Sequence, residues 1–246
     1  MDADDLMHRA RLRAQLAALE KGRDLAAVGC HVRVFPRRTL RDGGRAYERW
    51  LNRIDGARRV HEEAFVECPV AHPTLVIRRD ILAALGYRDR GWPEDYDLVL
   101  RLLGAGHQVG VVPQRLLAWR DGPARLSRTA DRYRLDRLTE CKAAFLATHF
   151  LGDRDAYVLW GYGATGRTLR RALLAHGKRP SHIVEVHPGR IGNAIHGAPV
   201  VPPEALRQLP GRRIVASVAG EGPRREIRES LGSMGFHETR DFVCAA

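Results

Sequence analysis

Lysine is nearly missing from this chain: Lys21, Lys142 and Lys178 are its only three, so a formal net charge of +12 rests almost wholly on arginine. The arginines are spread along the sequence rather than gathered in a stripe, which argues against the phosphate-tracking surface of a nucleic-acid-binding protein. Anionic small ligands or lipid headgroups are better partners for such a charge. Cysteine is scarce as well. Cys30, Cys68, Cys141 and Cys244 form no CxxC pair, which excludes a zinc ribbon or a disulfide framework and suits a reducing compartment. No apolar run approaches the ~20 residues that span a bilayer. The first residues are acidic rather than basic and then apolar, so no signal peptide is read. A cytoplasmic location is expected, with room for peripheral contact at the inner face of the membrane. Internal repeats and low-complexity tracts are lacking too.

What is present reads as α/β. Leu12, Leu16 and Leu19 recur at helical spacing, which predicts an amphipathic helix over about Leu6 to Glu20. "LAAVGCHVRVFP" is an apolar, partly alternating run closed by Pro36 and reads as a strand. "RRTLRDGGRAYERWLNRIDGARRV" is charged and glycine-bearing, and reads as a loop with one short helix. "AFVECPVAHPTLVIRR" reads as strand, turn, strand. "RDILAALGY" is then a short helix with Asp80 as N-cap and Gly86 past its end. "GWPEDYDLVLRLLGAG" is the best-punctuated helix, with Pro93 at its first position, Glu94 and Asp95 in the first turn, and glycines closing it. "HQVGVVP" and "RLLAWR" read as two further strands, and residues 131 to 150 as one longer helix.

Three features of the first 150 residues carry chemistry. Asp2, Asp4 and Asp5 form a DxD-like cluster ahead of a helix. Alone, such a cluster is an acidic tail. "AHPT" sets His72 at the end of an apolar stretch. "PED" puts Glu94 and Asp95 at a helix N-terminus, where the dipole favours ionised carboxylates and a base would be ready at neutral pH. Helix capping explains those two without any chemistry, and on helix punctuation alone it is the favoured reading.

The order of these pieces, DADD, a helix with "RLRAQ", "HPT" before "LVIRR", then "PEDYDLVLRL" and "WRDGPARLSR", resembles the C-terminal part of a family 2 glycosyltransferase, the inverting type with the GT-A fold. The resemblance covers residues 1–150. It implies that Asp2 and Asp4 hold Mg²⁺ or Mn²⁺ against the diphosphate of a nucleotide-sugar donor, Asp4 foremost. It implies Asp95 as the general base on an acceptor hydroxyl, with Glu94 positioning the acceptor or supporting the base. Trp92 would stack on a sugar ring or be buried, and His72, Arg120 and Arg125 would contact substrate. No QxxRW-like motif of the processive synthases is seen, so one sugar is moved at a time. In that family, early strands precede the DxD segment. The expectation is therefore that this chain by itself does not transfer sugar, and that residues ahead of Met1 would be needed.

Residues 151–246 read as a second, small Rossmann-like domain. Gly161, Gly163 and Gly166 spell GxGxxG between the strand "AYVLW" and the helix "RTLRRALLAHG". Glu185 follows Gly163 by 22 residues, close to the ~20 expected of an acid that meets a ribose hydroxyl. The domain is short for a complete dinucleotide fold, and His187 stands where an aspartate is expected. It would take a dinucleotide or nucleotide-sugar, or serve only for packing. The chain is thus expected to be a cut-short GT-A domain followed by a Rossmann-like βαβ module. It would transfer sugar from a nucleotide donor to a hydroxyl of a cell-surface glycan or lipid-linked acceptor. The alternative is a non-catalytic nucleotide-binding or regulatory protein acting through the second domain.

Overall fold

In the computed structural model, which describes residues 1–123, 125–209 and 211–246, the chain forms two compact units. The first holds Met1–Ala64 and Cys68–Arg134, and the second holds Phe65–Glu67 and Leu135–Ala246. Each has its own sheet. The fold class is mixed α/β.

The first unit begins with β1 (Leu6–Met7), followed by α1 (Arg11–Lys21) and β2 (Leu25–Phe35). The stretch read as a loop holds two helices, α2 (Asp42–Leu51) and α3 (Gly56–Glu63). Glycines at 43 and 44 obscured the first of them, and its inward-facing Leu51 sits in the core under β2. No strand forms across the segment 64–69, contrary to expectation. Phe65–Glu67 belongs to the second unit while Val70 packs in the core of the first. A segment divided between two cores cannot run as one ladder. A 3₁₀ turn at His72–Thr74 leads to β3 (Val76–Ile77), then α4 (Arg79–Leu85). Asp80 lies in the first turn of α4 and Arg78 takes the N-cap position, while Gly86 ends it at φ +58° as expected. Next come α5 (Glu94–Gly104), β4 (Gln108–Arg120) and α6 (Leu126–Thr129). Pro93 occupies the N-cap position of α5 rather than the first helical one.

The sheet order is β1-β4-β2-β3, with β2 and β4 parallel and both edge strands antiparallel. β4 is one strand where two were expected. Its pairing with β2 steps from Cys30↔Val112 to His31↔Arg115, so Pro113 and Gln114 are taken up in a bulge. A bulge tolerates proline because no ladder N–H is required there. Val28, Cys30, Val32, Leu116 and Leu117 pack on one side against Leu19 of α1. Ala27, Val109 and Val111 pack on the other against Leu98 and Leu102 of α5.

In the second unit, α7 (Leu135–Phe145) runs into a π-helical turn at Leu146–Phe150. The single helix read over 131–150 is therefore three pieces, beginning with a 3₁₀ turn at Asp131–Tyr133 in the first unit. Then follow β5 (Ala156–Trp160), α8 (Ala164–Leu174), β6 (Arg179–Val184), β7 (Ala194–Ile195), β8 (Ala198–Val201), β9 (Ile214–Ala216), α9 (Glu221–Ser233) and β10 (Phe242–Cys244). The sheet order is β10-β9-β5-β6-β8-β7, parallel except for the β7–β8 hairpin. This doubly wound sheet is more complete than the sequence led us to expect. Its strand order reverses beside β5, the position where such sheets open a crevice.

Candidate functional site

The acidic N-terminus is not a loose tail. β1 pairs with β4 through Leu6↔Ala118 and Met7↔Leu117. Just before it, Asp5 is buried and its Oδ1 accepts the backbone N–H of Arg120 at 2.9 Å. Arg120 returns the contact, its Nε donating to the carbonyl of Asp4 at 2.9 Å and its guanidinium lying 3.5 Å from Asp4 Oδ2. Burial pushes the Asp5 carboxyl above its ordinary value, the backbone N–H of Arg120 works against that, and the charges of Asp2 and Asp4 add to the rise. Asp5 therefore anchors, while Asp2 and Asp4 stay exposed.

A second wall is set by α1. Arg11 and Gln15 are buried one turn apart. Arg11 Nη2 donates to Pro73 O at 2.8 Å, and Gln15 Nε2 donates to Thr74 O at 2.7 Å and Val28 O at 2.9 Å. These bonds fix the turn that carries His72, whose Nε2 is 2.8 Å from the hydroxyl of Tyr87.

The start of α5 supplies the acids. Asp97 is fully buried, and it takes Arg88 at 2.8 Å, Arg101 at 2.7 Å and the indole N–H of Trp92 at 3.1 Å. That network fixes the first turn, so Glu94 and Asp95 are presented from a rigid frame. Asp95 Oδ1 accepts its neighbour's N–H, that of Tyr96, at 2.8 Å. Burial raises the Asp95 carboxyl above the ordinary carboxylate value, His72 pulls it back, and Glu94 adds to the rise. A carboxylate raised in this way is a better proton acceptor at neutral pH than an exposed one. Glu94 Oε1 accepts the hydroxyl of Tyr133 at 2.7 Å.

These pieces meet in one cavity of about 450 Å³ within the first unit. Asp2, Asp4, His72, Glu94, Asp95, Arg120 and Arg125 all line it. Seven of the eight residues singled out for this part of the chain are thus brought together. The eighth, Trp92, is not among the lining residues, and its N–H is held by Asp97. Trp119 lines the cavity instead, with the Arg125 guanidinium 4.1 Å from its ring centroid. Trp119, Tyr87 and Tyr133 were not singled out as site residues. Tyr133 carries no signal of its own in an arginine-rich stretch 39 positions from Glu94, and only the fold pairs them.

Among the described residues, no cluster of three or more His, Cys, Asp or Glu is arranged to hold a metal ion. Asp2 and Asp4 offer two exposed carboxylates at the cavity. That donor set fits Mg²⁺ or Mn²⁺ shared with substrate phosphates, since such ions commonly take one or two carboxylates and complete their shell from phosphate and water.

In the second unit the glycine turn is tightly built. A Cβ on Gly166 would lie 2.1 Å from Gly161 O, and one on Gly161, at φ +92°, would lie 2.3 Å from Val218 Cγ2. At Gly163 a Cβ would meet nothing. Glu185 is buried at the end of β6, and its Oε1 accepts the N–H of Tyr162 at 2.7 Å and Arg190 Nη1 at 3.1 Å. His187 is exposed and its Nδ1 accepts the Gly189 N–H at 3.2 Å, a local turn contact.

No protein-family model matches the chain. It is similar to the amylovoran biosynthesis glycosyltransferase AmsE of Erwinia amylovora, 29% identical over 124 residues, which is 50% of this chain and 44% of that protein. The chain spans less than half the length of this curated relative. Two solved structures of RSP, a Rex-family repressor, one in complex with β-NADH, align over 44% of this chain and 62% and 60% of theirs, at 11% identity and TM-scores of 0.32 and 0.31.

Proposed function

We propose that the first unit transfers a sugar from a nucleotide-sugar donor to a hydroxyl of a glycan or lipid-linked acceptor, with inversion and with Mg²⁺ or Mn²⁺. The observation that carries this reading is the cavity itself, which gathers Asp2 and Asp4, His72, the Glu94–Asp95 pair and two arginines from segments spread over 120 residues. A divalent cation, when bound, would neutralise the departing diphosphate. Asp2 and Asp4 would hold it, and Arg120 and Arg125 would meet phosphate oxygens with forked hydrogen bonds. Asp95 would take the proton from the acceptor hydroxyl as that oxygen attacks the anomeric carbon, opposite the leaving group. One displacement inverts the centre. Glu94 would accept a second hydrogen bond from the acceptor and so orient it.

The test is nucleoside diphosphate release from a panel of sugar nucleotides with Mn²⁺ and with chelator, run on this chain and on a form lengthened ahead of Met1. Asp95→Asn should lower turnover by roughly 10²–10⁴ with donor affinity nearly intact, the range for loss of a general base. Near-normal turnover in that variant removes Asp95 from the role.

A second reading concerns the second unit, supported by the open space at Gly163 and by Glu185 seated on the turn. It would bind a dinucleotide or nucleotide-sugar with its phosphates against the α8 N-terminus. Calorimetry with NADH and with sugar nucleotides tests it. Heat of binding that survives removal of Asp95 but not blockage of Gly163 assigns the ligand to this unit.

A further inference from the structure

Glu94 is placed by something outside its own helix. Its Oε1 accepts the Tyr133 hydroxyl at 2.7 Å, while its Oε2 is buried and has no hydrogen-bond partner among the described residues. Arg132 Nη1 stands 3.6 Å from Oε2, an ion pair just beyond hydrogen-bonding reach. Both contacts come from one 3₁₀ turn, Asp131–Tyr133, and Arg132 is steadied by Asp89 Oδ2 at 3.3 Å.

An ionised glutamate only accepts hydrogen bonds, so the phenol must be the donor. Burial, the bond to Glu94 and the nearby Asp95 charge all push the Tyr133 hydroxyl well above its ordinary value, so it remains a donor at any working pH. A glutamate at a helix start would otherwise sample several rotamers. With Oε1 tied and Oε2 buried beside the Arg132 guanidinium, the Glu94 side chain is held on both oxygens at the wall of a cavity also lined by Asp95.

We propose that Tyr133 is a positioning residue that fixes the Glu94 carboxylate so that it receives one hydroxyl of the acceptor sugar beside the hydroxyl deprotonated at Asp95. The acceptor class that follows is a sugar with two adjacent hydroxyls, one attacking and one donating to Glu94. This rests on the transfer reading given above.

Two measurements on the full chain separate its failure from the failure of that reading. The first follows the Glu94 Cδ resonance in ¹³C-glutamate-labelled protein, assigned with Glu94→Gln, during titration with methyl glucoside, galactoside and mannoside in Mg²⁺. Tyr133→Phe should move the resonance, and at least one glycoside should perturb it in wild type and not in Tyr133→Phe. The second is steady-state transfer. Tyr133→Phe should raise the acceptor KM roughly 10-fold with the donor KM unchanged, the effect of losing one charge-assisted hydrogen bond. It should add nothing in a Glu94→Gln background. An unmoved Glu94 resonance, or a variant that only melts earlier with the acceptor KM intact, overturns the positioning role. No perturbation by any glycoside overturns the acceptor contact. Absence of metal-dependent turnover in every form counts against the transfer reading, and the resonance still decides whether Tyr133 holds Glu94.

Discussion

The carboxylate of Asp5 accepts the backbone N–H of Arg120 at 2.9 Å, across 115 positions of sequence. The pairing seats a two-residue edge strand and sets Asp2 and Asp4 at the cavity. It also places a carboxyl where burial raises its pKa above the ordinary 3.8. The folded state then binds more protons than the unfolded one between 3.8 and the raised value. Stability therefore falls as pH rises through that interval, and the cost is present at neutral pH. Asp5→Asn keeps an acceptor oxygen and removes the charge. Thermal melts from pH 4 to 7 should show the variant gaining on wild type as pH rises. A variant that loses ground at neutral pH would show that the charge itself is needed.

Asp97 behaves in the opposite sense. Burial works against its ionised form, but bonds from Arg88, Arg101 and Trp92 outweigh burial and hold the carboxyl below 3.8. Its contribution is present above pH 3.8 and is lost as pH falls through the depressed value. Asp97→Ala leaves the largely buried Arg101 guanidinium without its carboxylate, and should cost about 3–5 kcal/mol. Denaturant unfolding at pH 7 checks this, and the difference from wild type should shrink toward pH 3.

The glycines of the second unit should separate by role. Gly166→Ala would press a methyl to 2.1 Å from the Gly161 carbonyl and should destabilise by about 1–3 kcal/mol or more. Gly163→Ala meets open space and should melt with wild type. Gly163→Leu should abolish any thermal shift produced by NADH or a sugar nucleotide while the fold persists. An undiminished shift would move the ligand away from this turn.

Lys142 offers a pH test in the second unit. It is fully buried, donating to Val66 O at 3.0 Å and Ala245 O at 2.7 Å, and burial lowers its pKa from 10.5 to about 8. Between those values the unfolded state binds the extra proton, so the lysine's contribution to stability rises with pH. Relative to Lys142→Met, the wild type should therefore gain stability from pH 8 to 10. A constant difference would mean that the ammonium stays charged throughout.

Legibility in the sequence followed physics that is local. β2 announced itself by an apolar, partly alternating run, α5 by its proline, acids and closing glycines, and α8 by the turn ahead of it. α2 was hidden because two glycines in its first turn weaken any helical pattern, and β4 was divided because a proline at 113 reads as a stop unless its partner strand bulges. The acids and arginines of the cavity were found by their order along the chain. Tyr133 and Tyr87 were not, since each acts through one hydroxyl contact that exists only after folding.

Helix α1 lies between the acidic segment and the His72 turn, and Arg11 and Gln15 bond it to the backbone carbonyls of that turn. The helix thus works as a gauge block. The place of the His72 turn is a machined dimension, set by buried side chains that do not line the cavity. Gln15 does not line the cavity, so a substitution there would shift the His72 turn from behind and leave the cavity surface chemically unchanged.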